Sequence, residues 1–493
     1  MENAARTRKN LIMFPLGTIG RDAIYQLFTN YILTFVLFTR ALTAAQLAAI
    51  SAIMVGARIF DALNDPVMGN IVDRTRTKYG KFKPWLIIGI ISTSIVVYLA
   101  FNTKLQGWSF IWFFGVIYFL YSITYTMHDI SYWGMIPSLG TDAHTRDQFT
   151  SRAILFAGVG STLASVLIPM LTTGSMTIGS STAYAYGKVA LVACLLSPLF
   201  LCFTIFGVHE NLDYNTEPIP PVSFQKILTV FRGNDQLIWV SLIFLIQQIG
   251  QNIVLGGIGS TYIYFEFGYE GGYFSLFTTV GIAATAFLMV FYPTISARIH
   301  RKPLMKIMMI ISTVGYVIML ICGLIIPTGI SKFWSITIGY MLANFGNYCF
   351  YLILMISIIN TVEYNEFKNG ERDDAIIASV RPFLTKLSSA LIVIITTSTY
   401  ILFGITSYTN QISALEQQAS LGTISETDKL MQIQALLSSV SHTKSIGLLC
   451  TITILPFLLM LASYLLYKKH YKLDEEVYER ICSELTIQRS KEI

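Results

Sequence analysis

Five charged side chains lie in the middle of apolar stretches that are long enough to cross a lipid bilayer: Asp22, Asp61, Asp65, Asp129 and Lys386. A charge at the bilayer centre costs from a few to more than about 10 kcal/mol. A chain that keeps several such charges needs them to face a watery cavity, to pair with one another, or to bind something that crosses. The pattern therefore predicts a transport pathway through a membrane protein.

The second apolar stretch concentrates its charges on one face. Residues three and four positions apart share a helix face, so Arg58, Asp61 and Asp65 form a stripe, with Asn64 beside it. Two carboxylates on successive turns and an amide oxygen suit a small hard cation. They equally suit a shared proton, because two neighbouring carboxylates cannot both ionise cheaply. Alternatively, one of the two carboxylates pairs with Arg58 and holds helices together.

The fourth stretch carries Thr126, Asp129 and Trp133 at helical spacing, so that a hydroxyl, a carboxylate and an indole share one face. A carboxylate accepts hydrogen bonds from two sugar hydroxyls, and an indole covers the apolar face of a pyranose. The face favours a glycoside, with an aromatic packing stripe around a buried aspartate as the alternative. His128 points about 100° away; it is either a proton-coupling group or a core histidine.

Further candidates lie in other stretches. In the first, Arg21 and Asp22 are expected to face different directions, each in polar surroundings, with Tyr25 one turn on. In the eleventh, Lys386 is the expected counter-ion for the carboxylates of the other half of the chain. Near the cytoplasmic end of the tenth, Glu363 and Glu366 could pair with basic loop residues as a gate or be ordinary surface charges.

The elements that must position these groups are membrane-spanning helices. Of the 493 residues, 54% are hydrophobic and 13% are charged, with a mean hydropathy of +0.59, whereas a soluble domain carries about 25% charged residues. An all-α polytopic membrane protein is predicted. Its twelve predicted spans lie at 11–39, 45–72, 84–102, 108–137, 148–173, 185–207, 236–265, 271–297, 304–327, 333–360, 376–404 and 445–467.

Basic loops predict the orientation. Lys and Arg cluster in the N-terminal tail, the 73–83 loop, the 298–306 loop and the C-terminal tail, which places both termini in the cytoplasm. A basic loop thus follows the second span of each half, as in the parallel repeats of the major facilitator fold. We expect a plasma membrane protein, in a bacterial inner membrane. The net charge of +6 reflects this bias and requires no nucleic-acid partner.

The predicted organisation is two six-helix bundles with a linker and a tail. The bundles cover 1–207 and 236–467, the cytoplasmic linker 208–235 and the cytoplasmic tail 468–493. The polar segment 405–443 on the outer side is either a solvated loop or an amphipathic helix lying over the mouth of the pathway.

Other function classes lack their motifs. The chain has no phosphate-binding Walker loop, no zinc-ligand spacing and no nucleophile elbow, so we expect neither an enzyme nor a cofactor. Its six cysteines have no metal-ligand spacing, and buried reduced thiols are expected.

Four segments carry a family resemblance. They are Asp61-Ala-Leu-Asn-Asp65-Pro-Val-Met-Gly69, Arg76-Thr-Lys-Tyr-Gly80-Lys-Phe-Lys-Pro-Trp85, Tyr125-Thr-Met-His-Asp129-Ile-Ser-Tyr-Trp133, and Val362-Glu-Tyr-Asn-Glu366 with Lys386. They resemble the glycoside–pentoside–hexuronide:cation symporter family of the major facilitator superfamily, the melibiose permease and its relatives. The resemblance spans nearly the whole chain.

The resemblance implies roles for matching positions. The positions matching the family's cation site are Asp61, Asn64, Asp65 and Thr126. The positions matching its sugar site are Arg21, Asp22, Tyr125, Asp129, Trp133, Arg152, Tyr351 and Lys386. Arg21 stands where the melibiose permease has a lysine, so the charge is kept. The coupling ion is expected to be Na⁺, Li⁺ or H⁺.

The sequence thus predicts a secondary active transporter that imports a glycoside with a cation by alternating access. Its expected partners are a small-molecule sugar and the lipid bilayer, with no obligate protein partner. Two alternatives remain open at this stage: a carrier of an amphiphile such as a lysolipid on the same fold, and a membrane sensor that does not transport.

Overall fold

The computed structural model describes residues 2–139, 143–209, 224–296 and 298–491. Every regular element in these ranges is helical. Ten helical segments within them are long and apolar enough to cross a membrane. The predicted spans 11–39 and 271–297 coincide with two more long helices, so the all-α polytopic prediction is confirmed.

The described chain forms two compact units. Unit 1 comprises residues 1–219, 263–276 and 397–441, and unit 2 comprises 220–262, 277–396 and 442–493. The predicted boundaries between two six-span halves stay a prediction, and residues 210–223 of the predicted linker lie outside the described residues.

Unit 1 is built on the first six predicted spans. They fold as α1 (Glu2–Thr39), α2 (Ala44–Arg74), α3 (Lys83–Asn102), α4 (Gly107–Gly134), the short α5 (Ile136–Leu139), α6 (Ala143–Thr172) and α7 (Thr182–Gly207). Helix α1 packs against α6 and α7, and α4 packs against α2 and α3. Small residues permit the close approach: a Cβ at Gly160 would lie 2.2 Å from the carbonyl oxygen of Ile19.

Unit 2 contains most of the remaining helices. They are α8 (Phe224–Gly233), α9 (Asp235–Asn252), α10 (Gly259–Phe267), α11 (Gly271–Ser296), α12 (Arg301–Ile325), α13 (Ile330–Ile359), α14 (Thr361–Asn369), α15 (Asp374–Leu402), α18 (His442–His470) and α19 (Glu475–Lys491). Residues 263–276 of α10 and α11 and the end of α15 belong to unit 1 instead. The predicted span 236–265 is interrupted at Val254–Ile258, where Gly257 has a φ of 104° that favours glycine.

The polar segment after α15 is helical. It forms α16 (Thr406–Ser420) and α17 (Glu426–Ser438), both in unit 1. Each helix has one buried face: Thr409, Ile412, Ser413, Glu416 and Ala419 in α16, and Lys429, Ile433 and Leu437 in α17. The segment is therefore a packed pair of amphipathic helices rather than a solvated loop.

Candidate sugar and cation site

A buried arginine joins two predicted sugar-site carboxylates. The guanidinium of Arg21 on α1 lies 2.8 Å from a carboxylate oxygen of Asp22 and 3.1 Å from one of Asp129 on α4. Its side chain is 4% exposed, whereas those of Asp22 and Asp129 are 15% and 36% exposed. The cation is thus fixed inside the unit, and Asp129 is the more exposed of its two carboxylate partners.

The expectation that Arg21 and Asp22 face different directions is wrong at the level of the charged groups. Neighbouring residues on a helix do leave the axis about 100° apart. The long arginine side chain nevertheless turns back, and its Nε donates to Asp22 at 2.9 Å. The two charges therefore provide much of each other's polar surroundings.

Aromatic rings line this cluster. The guanidinium of Arg21 lies 5.0 Å from the ring centroid of Tyr132 and 5.1 Å from that of Trp133, within reach of cation–π attraction. One turn along α1, Tyr25 packs against Tyr125 with ring centroids 5.3 Å apart. A carboxylate, a guanidinium and an indole thus converge, which is a set of groups that can bind hydroxyls and cover an apolar sugar face.

The predicted cation residues form two rungs between α2 and α4. On one rung the hydroxyl of Ser122 donates to Asp61, and on the other Thr126 donates to Asp65 at 3.2 Å. The two pairs lie one helix turn apart, because Asp61 and Asp65 share one face of α2 and Ser122 and Thr126 share one face of α4. The structure thereby brings Asp61, Asp65 and Thr126 together.

Arg58 pairs with Asp61 across one helix turn, with 3.5 Å between the guanidinium and the carboxylate. The alternative noted from the sequence, an arginine–aspartate pair, is therefore present in the structure. It does not neutralise the site, because one positive and two negative charges leave one net negative charge. Asn64 adds an amide whose buried Nδ2 has no hydrogen-bond acceptor among the described residues.

His128 lies at the contact between α3 and α4. It is fully buried, and a Cβ at Gly89 of α3 would lie 2.5 Å from its own Cβ. Its Nδ1 is 3.2 Å from the carbonyl oxygen of Tyr125. Its buried Nε2 has no hydrogen-bond partner among the described residues, and a proton-coupling role for His128 stays a prediction.

Three candidates from the resemblance have other contacts. The guanidinium of Arg152 is exposed and donates to the carbonyl of Leu11 at 3.2 Å. In unit 2, Tyr351 accepts a hydrogen bond from Arg381 at 3.1 Å, and Lys386 is half-buried on α15. Sugar contacts by Arg152, Tyr351 and Lys386 stay predictions.

The acidic pair near the end of the tenth predicted span contacts Arg372 in the structure. Its guanidinium lies 3.2 Å from Glu363, 3.1 Å from Glu366 and 2.9 Å from Asp374, all in unit 2. A single exposed arginine therefore clamps α14 to the start of α15.

The sequence reasoning did not identify Ser122 or Arg372 as members of these groups. Ser122 precedes Thr126 by four residues, so its position on the same face of α4 was available as a signal. Arg372 follows the acidic pair in a short loop, Glu371-Arg372-Asp373. Which of the neighbouring carboxylates it contacts depends on the turn at Gly370.

Comparison with known proteins gives the family. The family model described as "MFS/sugar transport protein" matches residues 13–475. The chain is 28% identical to a lactose permease of Leuconostoc lactis, over 77% of this chain and 60% of that protein. It is 26% identical to a Bacillus subtilis protein named as an uncharacterized symporter, over 96% of this chain and 93% of that protein.

Among solved structures, a bacterial homologue of the human lysosomal transporter Spinster, in an inward-facing and unoccupied conformation, superimposes with a TM-score of 0.62 at 11% identity. The match covers 97% of this chain and 98% of that one. This likeness shows the fold. The chain spans about 60% of the length of the lactose permease that it matches. With a family model that covers nearly its entire length, the chain belongs to the MFS/sugar transport protein family.

Proposed function

We propose that this protein is a secondary active transporter that imports a glycoside together with a monovalent cation by alternating access. It is a carrier rather than an enzyme, and both of its termini lie in the cytoplasm. One observation carries the proposal: Arg21 contacts both Asp22 and Asp129, which lie in predicted spans, and Asp129 is the more exposed of the two carboxylates.

Sugar recognition follows from the unequal exposure of these groups. Asp129 accepts hydrogen bonds from two sugar hydroxyls, and Arg21 holds the carboxylate in its charged form and fixed orientation. Trp133 covers the apolar face of the ring. Asp22 is more enclosed and keeps Arg21 in place, with Tyr25 and Tyr125 closing the wall of the site.

Cation coupling follows from the net negative charge of the two rungs. A single monovalent cation neutralises Asp61, Asp65 and Arg58 taken together, which a divalent ion would overcompensate. Asp65 and Thr126 supply oxygen ligands, and Asn64 supplies an amide oxygen from the adjacent position. Thr126 of the cation rungs and Asp129 of the Arg21–Asp22–Asp129 group, the sugar cluster, both lie on α4. Cation binding at Thr126 therefore affects the position of Asp129, one turn away along the same helix.

Access from the cytoplasm is governed by the acidic pair of α14. Glu363 and Glu366 close around Arg372, and the cluster opens when α14 and α15 move apart.

The test is electrical recording from purified protein in proteoliposomes. Each of several α- and β-galactosides, glucosides and xylosides is applied with and without sodium at two pH values. Currents for one sugar class that require sodium, lithium or protons support the proposal and name the coupling ion. The matched control is Asp129→Asn, expected to abolish the current while the purified protein keeps its melting temperature.

The outcome that refutes the proposal is a folded protein without current for any sugar under any ion condition. Saturable transport of a lysolipid in the same vesicles would replace the glycoside by an amphiphile. A wild-type current in Asp129→Asn would leave transport in place and remove the assigned sugar site.

A further inference from the structure

The helix pair α16–α17 buries an ion pair that the sugar and cation site does not use. The ammonium of Lys429 lies 3.4 Å from the carboxylate of Glu416, and the two side chains are 1% and 2% exposed. Glu416 lies within the buried face of α16, and Lys429 begins the buried face of α17. A buried pair of charges is stable only when its remaining hydrogen-bonding positions are filled.

The carboxylate of Glu416 accepts hydrogen bonds from the beginning of α7. The backbone N–H of Thr182 donates to it at 2.7 Å and the hydroxyl of Thr182 at 2.9 Å. The first N–H groups of a helix have no partner inside the helix, and its N-terminus favours negative charge. The hydroxyl of Tyr269, from the segment between α10 and α11, lies 3.1 Å from that of Thr182.

The ammonium of Lys429 has two further partners besides Glu416. It contacts Glu426 at 2.7 Å, and it donates to the carbonyl of Ser180 at 3.4 Å. The Glu426 side chain is 38% exposed, although its second carboxylate oxygen is buried. The network therefore ties both helices of the pair to the segment that leads into α7.

Two further attachments hold the same region. The side-chain amide of Asn410 on α16 accepts from the N–H of Leu42 and donates to its carbonyl, both at 2.8 Å. The carboxylate of Glu270 accepts from the N–H of Ser175 at 3.0 Å, and the N–H of Gly271 donates to Thr173 at 3.0 Å. The segments that follow the seventh and eleventh predicted spans are thus fastened to the ends of α1 and α6.

We propose that α16–α17 is a lid over the outer mouth of the pathway and that the Glu416–Lys429 pair on Thr182 is the latch that holds it closed. This inference rests on the proposed transport function and orientation. Opening the outer side requires the latch to separate from Thr182, and reclosing it restores a fully hydrogen-bonded pair. Lid closure is therefore a step that each import cycle must complete.

The latch is tested by cysteine labelling in right-side-out membrane vesicles. Ser413→Cys places a thiol on the buried face of α16, and Ser420→Cys places one on its exposed end. A membrane-impermeant maleimide is added from outside, and the parent chain with its six cysteines supplies the blank. Adding Lys429→Gln is expected to accelerate labelling at position 413 at least tenfold and to leave position 420 unchanged.

The matched control is Glu426→Gln, which removes the exposed partner of the same lysine and is expected to change labelling less than twofold. Glu416→Gln keeps the shape of the group that faces Thr182 and leaves Lys429 in contact with Glu426 and the Ser180 carbonyl, so labelling at position 413 is expected to change less than twofold. In a charge-exchange variant, Glu416→Lys with Lys429→Glu, the lid is expected to remain open because the variant places a cation at the N-terminus of α7.

Transport kinetics separate a latch from a merely structural contact. A lid that stays open is expected to lower the maximal rate of sugar uptake at least fivefold while the KM from outside stays equal or falls. Unchanged labelling at position 413 in Lys429→Gln, or equal acceleration in Glu426→Gln, overturns the latch. Labelling needs no substrate, so a failure of sugar transport in the parent chain would refute the carrier and leave the lid result intact.

Discussion

Two clusters of buried charge in unit 1 use the same kinds of side chain in opposite ways. In the sugar cluster, Arg21 is enclosed but its partner Asp129 is 36% exposed. In the lid, Glu416 and Lys429 are both almost fully enclosed. Exposure of the second partner separates a charge that can bind a ligand from a charge that holds two segments together. The comparison predicts which substitutions damage binding and which damage structure.

The largest effect is expected from Arg21→Gln. The substitution leaves Asp22 and Asp129 without the cation that both contact, and removing one member of a buried ion pair costs about 3–5 kcal/mol. Purified Arg21→Gln should therefore melt well below the wild type in detergent and carry no sugar current. Arg21→Lys keeps the charge and is expected to melt near the wild type with reduced transport. Equal melting temperatures for Arg21→Gln and the wild type would show that the carboxylates are compensated elsewhere.

The next effect is expected from Asp129→Asn, which changes the exposed partner. Sugar affinity should fall about 100-fold, because charge-assisted hydrogen bonds contribute about 1.5–3 kcal/mol each. Stability should change by less than about 1 kcal/mol, since the carboxylate is partly in contact with solvent. Calorimetric titration with the sugar identified by electrical recording measures the first quantity, and thermal melting measures the second.

Asp22→Asn is the matched comparison, because Asp22 contacts the same arginine but is 15% exposed. It is expected to lower the melting temperature more than Asp129→Asn does. A larger loss of melting temperature in Asp129→Asn than in Asp22→Asn would contradict the link between a carboxylate's exposure and its role in binding or structure.

A smaller effect is expected in the rungs between α2 and α4. Asp65→Asn removes the net negative charge and should weaken the apparent affinity for the coupling cation at least tenfold. Ser122→Ala removes the hydroxyl donor to Asp61 but leaves the charge of both carboxylates, so it should weaken the affinity less than Asp65→Asn does. Sugar currents titrated with sodium in proteoliposomes give both values. An Asp65→Asn protein whose current still saturates at the wild-type ion concentration would exclude Asp65 as a ligand.

The sugar cluster could largely be predicted from the sequence. Charges at membrane depth are rare enough to be informative singly, and helical spacing assigns each to a face. Helical spacing places Trp133 beside Asp129, whereas the grouping of Thr126 with Asp65 was implied only by the family resemblance. The contact between Arg21 and Asp22 could not be predicted in this way, because it depends on the reach of a long side chain rather than on helix geometry.

The Glu416–Lys429 latch within the lid could not be predicted, for a different reason. Glu416 and Lys429 lie in a polar segment, where a glutamate and a lysine carry no signal by composition. Their meeting depends on the turn at 421–425 and on a partner, Thr182, that is more than 200 residues away in the chain. The amphipathic spacing of α16 could be predicted from the sequence, but the surface that its buried face covers could not.

The smallest expected effect is the response of the lid to external pH. Burial raises the pKa of the Glu416 carboxyl above its ordinary value, although Lys429 and Thr182 oppose the shift. In an open lid the same carboxyl meets water and returns to about 4.3. The closed lid therefore binds a proton more tightly than the open one, so acidification favours closure and rising pH through the raised pKa removes that contribution. The other groups that face the carboxyl, Glu426 beyond Lys429 and the phenol of Tyr269, are not expected to reverse this sign.

The measurement is the ratio of labelling rates at Ser413→Cys and Ser420→Cys, which cancels the pH dependence of the thiol reaction itself. The ratio should fall several-fold as the external pH is lowered from 7 toward about 4.5, and it should stay flat when Glu416→Gln is added. A ratio that rises on acidification would mean that the charged pair is more stable in the closed lid than the neutral carboxyl is. The latch would then be held by charge attraction, and acid would open it.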